Sequence, residues 1–226
     1  ERNRPGDTFG FGVVFSDATL ANFEAADPES HAEILASFSY WSDIDVHWRG
    51  EVIRSTGHGF AGLSRVRLLE ILSKRALQLG CVLRNSTEAP VDPDGDVIVA
   101  ADGIRSGIRT RHEAAFGPSL DWRRCRFLWL GTTRPLSTFT FWFKHTPHGL
   151  FQVHAYPYEA GQSTFIVECD EATWQKAGLG NMNEEETKAY LQEVFRNDLQ
   201  GAPLLSNNSK WINFLLVKNR HWSVTS

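Results

Sequence analysis

The sequence predicts a mixed α/β (α+β) chain, with an α/β part up to about residue 118 followed by an antiparallel sheet. Three observations predict it. Residues 97–101, VIVAA, are a continuous apolar run that stops at Asp102-Gly103, the pattern of a strand buried on both faces of a sheet. Residues 64–79 carry Leu68, Leu69, Leu72, Ala76 and Leu79 on one helical stripe. After Pro118, four stretches rich in Phe, Trp, Thr and Val replace the continuous runs, and short turn signals separate them. At 226 residues, 42% apolar and 22% charged, the chain is long enough for a substantial core and has a soluble globular composition. A formal net charge of −4 argues against a general nucleic-acid binder.

Taken in order, residues 1–15 contain Pro5 and glycines at 6, 10 and 12, which predicts an irregular loop. Residues 17–26 and 29–40 have helical character, with Asp17 as the first cap and Asp27-Pro28 between the two. Residues 44–55 predict a hairpin turning at Arg49-Gly50. Gly57, Gly59 and Gly62 suggest either close backbone approach to a ligand or a flexible turn. Ser64 is a good N-cap for the helix at 64–79, and Gly80 is placed to end it. Residues 81–84 read as a short strand beside 97–101, and a helical segment starts near Ser106. The later strands are expected at 124–131, 138–144, 149–156 and 163–168, with turns at Thr146-Pro147 and Ala160-Gly161. Alternation in the third puts Gln152, His154 and Tyr156 on one face and Phe151, Val153 and Ala155 on the other. Helices at 171–177 and 183–197 follow, the second capped by Asn183 with Glu184, Glu185 and Glu186 in its first turn. That acidic run needs no catalytic role. Residues 211–217 form a final apolar strand.

Cys81, Cys125 and Cys169 are widely spaced and odd in number, which fits a reducing, cytoplasmic setting. No metal-ligand spacing occurs among the eight histidines, and no long apolar span predicts a membrane segment. There is no initiating Met, and both ends look cut from something larger.

The chemistry is expected at Asp102. An acid at the carboxyl end of a buried strand, followed by Gly, sits where open α/β sheets bind ligands. It could accept hydrogen bonds from ribose or ribityl hydroxyls, although most Asp-Gly pairs are simply turns. Arg65, in the first turn of its helix, gains nothing from the helix dipole. It is either solvated or ion-paired, or useful beside a phosphate. The polar-aromatic face at Gln152, His154 and Tyr156 either lines a cavity or faces solvent. Glu1, followed by Arg2, resembles the acid ending the second strand of a dinucleotide-binding unit, but a terminal Glu is usually just solvated.

The run followed by D-G-x-x-S-x-x-R resembles the DG motif of the flavin-dependent aromatic hydroxylases, the family of para-hydroxybenzoate hydroxylase. Asp102, Gly103, Ser106 and Arg109 are the matching positions. ERNRPGDTFGFGVVFSDATL, GHGFAGLSRVRLLEIL, FIVECDEATW and KWINF with NRHW narrow the likeness to the monooxygenase part of salicylyl-CoA hydroxylases and 2-aminobenzoyl-CoA monooxygenases. The resemblance covers nearly the whole chain. It implies a partial FAD-binding domain at 1–118, an antiparallel substrate domain at 119–210, and a return strand at 211–226. FAD, reduced by NAD(P)H, would react with O2, and the flavin hydroperoxide would hydroxylate an aromatic acyl-CoA. Catalytic side chains and metals are not required, because the reacting oxygen is the cofactor's. Glu1 matches the ribose acid, Arg65 the Arg near FAD, and Asp102 the aspartate between the FAD and nicotinamide sites. The pyrophosphate-facing Arg that relatives carry about a dozen residues after the ribose acid has no counterpart at residues 11–13. His58, Gln152, His154 and Tyr156 would meet the substrate. The family's GxGxxG loop and its second, Gly-Asp FAD motif do not occur, which implies a central fragment lacking N- and C-terminal segments of the same polypeptide and unable to hold FAD alone. Two alternatives are a hydroxylase of a free phenolic acid and a non-enzymatic small-molecule-binding module.

Overall fold

The computed structural model describes residues 1–90 and 93–224. The chain opens irregularly, then forms β1 (Gly12–Ser16), α1 (Asp17–Ala26), α2 (Pro28–Leu35), β2 (Ser39–Trp41) and the hairpin β3 (Ile44–Trp48)–β4 (Glu51–Ser55). Next come β5 (Phe60–Ser64), α3 (Arg65–Gln78), α4 (Gly107–Arg111) and α5 (Glu113–Phe116). The sheet-rich half holds β6 (Pro118–Thr132), β7 (Phe139–Thr146), β8 (Gly149–Glu159) and β9 (Gln162–Cys169). After it follow α6 (Glu171–Lys176), α7 (Glu184–Val194), α8 (Arg196–Leu199), β10 (Leu204–Leu205) and β11 (Ile212–Asn219).

Two sheets result. The small one has the order β1-β5-β2, and the large one β10-β6-β9-β8-β7-β3-β4, with β11 also pairing β6. Strands β6 to β9 are antiparallel neighbours, as the aromatic alternation predicts. The Arg49-Gly50 hairpin also forms, with both turn residues at positive φ. Its first strand runs parallel to β7, Ile44 opposite Phe139, so residues 44–55 extend the large sheet.

The large sheet buries one face against α6, α7 and α8. Phe151, Val153 and Ala155 of β8 and Phe165 and Val167 of β9 all point there, joined by Leu191, Phe195 and Leu199. Asn183 closes a capping box with Glu186, so the acidic first turn of α7 is structural, as its sequence indicates. A smaller core of Leu20, Ile34, Ala61, Leu63 and Ile71 sits under the small sheet. The two sheets meet where Gly62 lies against Pro157 and Trp41. A Cβ there would fall 2.0 Å from the Pro157 carbonyl oxygen, so only Gly lets β5 approach β8 this closely. Gly59 is likewise pressed on the Asp17 carboxylate. The close approach read from these two glycines is to the protein itself.

Several expectations are corrected. Residues 97–101 are not a strand: their backbone is irregular, and Val97 and Val99 are 83% and 85% exposed. A strand buried on both faces needs neighbours on both sides, and no described strand runs beside this segment. Residues 81–84 are irregular for the same reason. The predicted α3 stripe is only partly covered. Ile71 is buried, while Leu69, Leu72 and Leu79 are exposed, because the helix packs through a narrower face on the small core. Ser64 precedes α3 without a side-chain cap bond, and Gly80 ends it at positive φ. The second helix stops at Leu35, and Ser39–Trp41 is a strand instead. Ser16, not Asp17, caps α1 by accepting from Thr19 N. The opening loop gives way to β1 at Gly12, where pairing with β5 overrides the glycine content.

Candidate functional site

The face of the large sheet opposite its helices is where the polar-aromatic side chains gather. Alternation sends Gln152, His154 and Tyr156 of β8 to this face, and the register adds Phe139 and Phe141 from β7 and Ile166 and Glu168 from β9. Tyr156 is buried. Its hydroxyl donates to the Gly12 carbonyl at 3.1 Å, and its ring stacks on Trp41, with centroids 6.1 Å apart and planes 20° apart. Burial pushes the phenol up to about 12. Phe139 links Tyr156 at 5.3 Å to His154 at 6.2 Å and to Phe60 at 5.9 Å. His58 lies beside Phe60 at 6.1 Å, with Nε2 2.7 Å from Ser55 Oγ. Sequence-predicted His58, His154 and Tyr156 therefore share one aromatic floor.

Gln152 Nε2 donates to Glu168 Oε2 at 2.8 Å, and His154 Nδ1 lies 3.5 Å from Glu168 Oε1. Burial lowers the His154 pKa, and the Glu168 charge opposes that shift.

Arg65 stands at the join of the two sheets. Its backbone N–H donates to Phe11 O at 2.9 Å, which ties the start of α3 to the loop before β1. The guanidinium lies 5.2 Å from the Phe9 ring centroid and 5.0 Å from that of Trp129. It is half-buried, its Nε has no hydrogen-bond partner, and among the described residues no carboxylate pairs with it. Desolvation lowers its pKa, with Tyr156 the neighbour opposing. Asn207 Nδ2 donates to the Thr8 and Gly10 carbonyls at 3.1 and 2.8 Å, holding the loop that carries Phe9.

The DG segment forms its own turn. Asp102 is exposed and accepts from Ile108 N at 3.4 Å. Burial works against its charge, but bonds from Ser106 and the backbone outweigh it and hold the carboxyl below its ordinary pKa. Ser106 caps α4 by accepting from Arg109 N at 2.9 Å, and the Arg109 guanidinium donates to Ile104 O. Gly103 has φ +82° and open space around it. Glu1 lies apart from this turn. Its carboxylate accepts from Asn3 N at 2.8 Å, and its backbone nitrogen donates to Arg84 O at 2.8 Å. Among the described residues no hydrogen bond or ion pair joins Glu1 to Asp102, Ser106 or Arg109.

The sequence reading passed over Trp41, Phe60, Phe139, Phe141, Trp129 and Glu168. The alternation of β9 would have put Glu168 on the polar face, but its pairing with Gln152 and His154 needs the inter-strand register. Among the described residues no His/Cys/Asp/Glu group is arranged to hold a metal, and no helix is long and apolar enough to cross a membrane.

No family model matches the chain. It is 43% identical over 234 residues to a salicyloyl-CoA 5-hydroxylase of a Streptomyces species, covering 98% of this chain and 45% of that protein. It is 35% identical to a 3-hydroxy-4-methyl-anthranilyl-[aryl-carrier protein] 5-monooxygenase of Streptosporangium sibiricum, covering 97% and 59%. The chain thus spans about half the length of these curated relatives. In fold it is similar to 2-methyl-3-hydroxypyridine-5-carboxylic acid oxygenase, with a TM-score of 0.76 at 14% identity, covering 99% of this chain and 64% of that one. It is also similar to aklavinone-11 hydroxylase, solved with FAD and aklavinone, with a TM-score of 0.64 at 18% identity, covering 99% and 50%. By sequence the chain is thus similar over nearly its whole length to a curated hydroxylase and a curated monooxygenase, and it shares the fold of a solved oxygenase and a solved hydroxylase.

Proposed function

We propose that the whole protein is an FAD-dependent, NAD(P)H-using monooxygenase that hydroxylates the ring of an aromatic acyl thioester, an acyl-CoA. The observation that carries this reading is Arg65, a half-buried cation without an anionic partner, set where the small sheet meets an aromatic floor. Burying an unpaired guanidinium is costly unless a ligand's acceptors meet it. The residues present therefore fit an anionic dinucleotide at this point. When bound, FAD takes reducing equivalents from the nicotinamide and, with O2, supplies the oxygen atom.

In this reading Arg65 meets the cofactor's polar edge. Glu1 and Asp102 receive hydroxyl hydrogen bonds, and Gly103, Ser106 and Arg109 shape the turn beside them. Phe139, Phe141 and Tyr156 stack under the aromatic ring and exclude water, while His58, Gln152 and His154 supply polar contacts. Residues 1–118 form the cofactor side, with β3–β4 lent to the substrate sheet, 119–210 that sheet, and 211–226 the return strand. The remaining N- and C-terminal segments of the polypeptide complete the cofactor site. Three free cysteines, two of them exposed, support a cytoplasmic setting.

A hydroxylase of a free aromatic acid is the second reading. In it the same unpaired cation holds the substrate carboxylate instead of the cofactor. The test is to purify the full-length protein, record its flavin spectrum, and compare kcat/KM for salicyloyl-CoA and free salicylate. Bound flavin with a strong preference for the thioester supports the proposal. A preference for the free acid favours the second reading, and a flavin-free protein that turns over neither favours a binding module.

Asp102 gives a sharper check. In the full-length protein, Asp102→Ala should slow flavin reduction or weaken FAD about tenfold, the effect of losing one hydrogen bond worth about 0.5–1.5 kcal/mol. A purely structural Asp102, bonding Ile108 N, would instead lower stability by roughly 0.5–2 kcal/mol and leave reduction unchanged. Stopped-flow reduction beside a thermal melt separates the two.

A further inference from the structure

The helix-covered face of the large sheet holds a concave feature of its own, separate from the aromatic floor. Side chains alternate along β6, so Leu128 and Leu130 point to the helices while Trp129 points to Arg65 on the other side. Above the two leucines, α6, the turn at Leu179–Asn181 and the start of α7 do not close on the segment before β11. A cavity of about 340 Å³ remains, walled by Leu128, Leu130, Trp174, Leu179, Met182 and Trp211. Leu128, Leu130 and Leu179 are buried, but Trp174, Met182 and Trp211 are only partly so. Two indoles left half-covered in a concavity of this size suit the lining of a small-molecule site.

The aromatic wall is fixed in advance. The Arg126 guanidinium lies 4.1 Å from the Trp174 ring centroid, and Glu171 accepts from it at 2.7 and 3.1 Å. Gly180 meets the edge of the same indole, where a Cβ would fall 2.5 Å from Cη2. Because Glu171 satisfies Arg126, the free positive charge at the cavity comes from Lys188 and Lys210. The Lys188 side chain is 18% exposed, and its ammonium pairs at 2.7 Å with Glu185, which is 79% exposed on the same helix. So solvated a partner contributes little. Among the described residues no carboxylate lies within ion-pair distance of Lys210. Glu184, exposed at the start of α7, is the one acid in the lining. Two ammonium groups against one carboxylate leave the lining net positive.

We propose that this cavity binds an aromatic carboxylate, with its ring against Trp174 and Trp211 and its carboxylate at Lys188 and Lys210. Contact with the indoles supplies the apolar burial, and charge-assisted hydrogen bonds from the ammonium groups fix the orientation. Strand β6 separates this site from Arg65 and the aromatic floor, so its ligand and a substrate can be held at the same time. The proposal is independent of the monooxygenase reading, and no bond is made or broken in it.

The test is calorimetric titration of the full-length protein with naphthalene-2-carboxylate and with its neutral isostere, naphthalene-2-carboxamide. The acid should bind with a Kd of about 1 mM or tighter, the level that ordinary ligand efficiency gives a molecule of this size. The amide should bind at least about tenfold more weakly. Lys188→Gln combined with Lys210→Gln should weaken the acid by about 10–150-fold and leave the amide unchanged. Met182→Trp, which fills the cavity, should abolish binding of both. The lysine variant leaves the hydrophobic core intact, and it decides alone if Met182→Trp does not fold. Absence of saturable binding up to about 10 mM overturns the proposal. Equal affinity for acid and amide overturns it too, as does a folded Met182→Trp protein that binds like the wild type. Acid binding that the lysine variant leaves unchanged would place the probe elsewhere, on the aromatic floor, and also overturns it.

Discussion

Arg65→Gln in the full-length protein should weaken FAD binding by about 10–150-fold, the effect of losing charge-assisted hydrogen bonds worth about 1.5–3 kcal/mol. The flavin-free variant should melt within about 1 kcal/mol of the wild type, because two opposing terms change together. The guanidinium loses its stacking on Phe9 and Trp129, worth about 0.5–1 kcal/mol each at exposed sites. Against that, a half-buried charge with an unbonded Nε and no anionic partner is removed. Flavin titration and a melt of the flavin-free protein measure both quantities. A variant that melts early but binds FAD normally would assign Arg65 to packing between the sheets.

Phe165→Ala should destabilise the chain by about 3–5 kcal/mol, the range for removing a fully buried aromatic side chain. Phe165 is 0% exposed and stands edge-on to Phe195 at 5.5 Å and 5.9 Å from Trp142. The cavity would open between the sheet and α7–α8, because Ala leaves the space of a phenyl ring among side chains already packed. Urea unfolding reads the effect. A loss below about 1 kcal/mol would mean that the helices do not clamp the sheet as described.

The large sheet was legible because its strands bury one face only. Phe151, Val153 and Ala155 go to the helices and Gln152, His154 and Tyr156 to the other side, which writes a period of two into the sequence. The capping box of α7 was legible because it is local, within four residues. The failures were non-local. Residues 97–101 have the composition of a central strand, and composition does not reveal whether neighbouring strands are present. β1 and β2 were hidden in segments read as loop and helix, because their pairing partner β5 lies about 20 to 50 residues away. The DG turn was legible as a motif, and its capping bonds are in place, but Glu1 and Asp102 are not joined. The His154–Glu168 pair was half legible. Alternation found the imidazole, and only the β8–β9 register brings the carboxylate to it.

The reaction proposed for the whole protein is insertion of one oxygen atom from O2 into an aromatic thioester held on this floor. The direct measurement is a single-turnover reaction of full-length, FAD-loaded protein with NAD(P)H and salicyloyl-CoA under ¹⁸O2, with mass analysis of the product. The expected product is a ring-hydroxylated thioester carrying one ¹⁸O atom. A product whose new oxygen comes from water, or an unchanged thioester with NAD(P)H consumed, would contradict it.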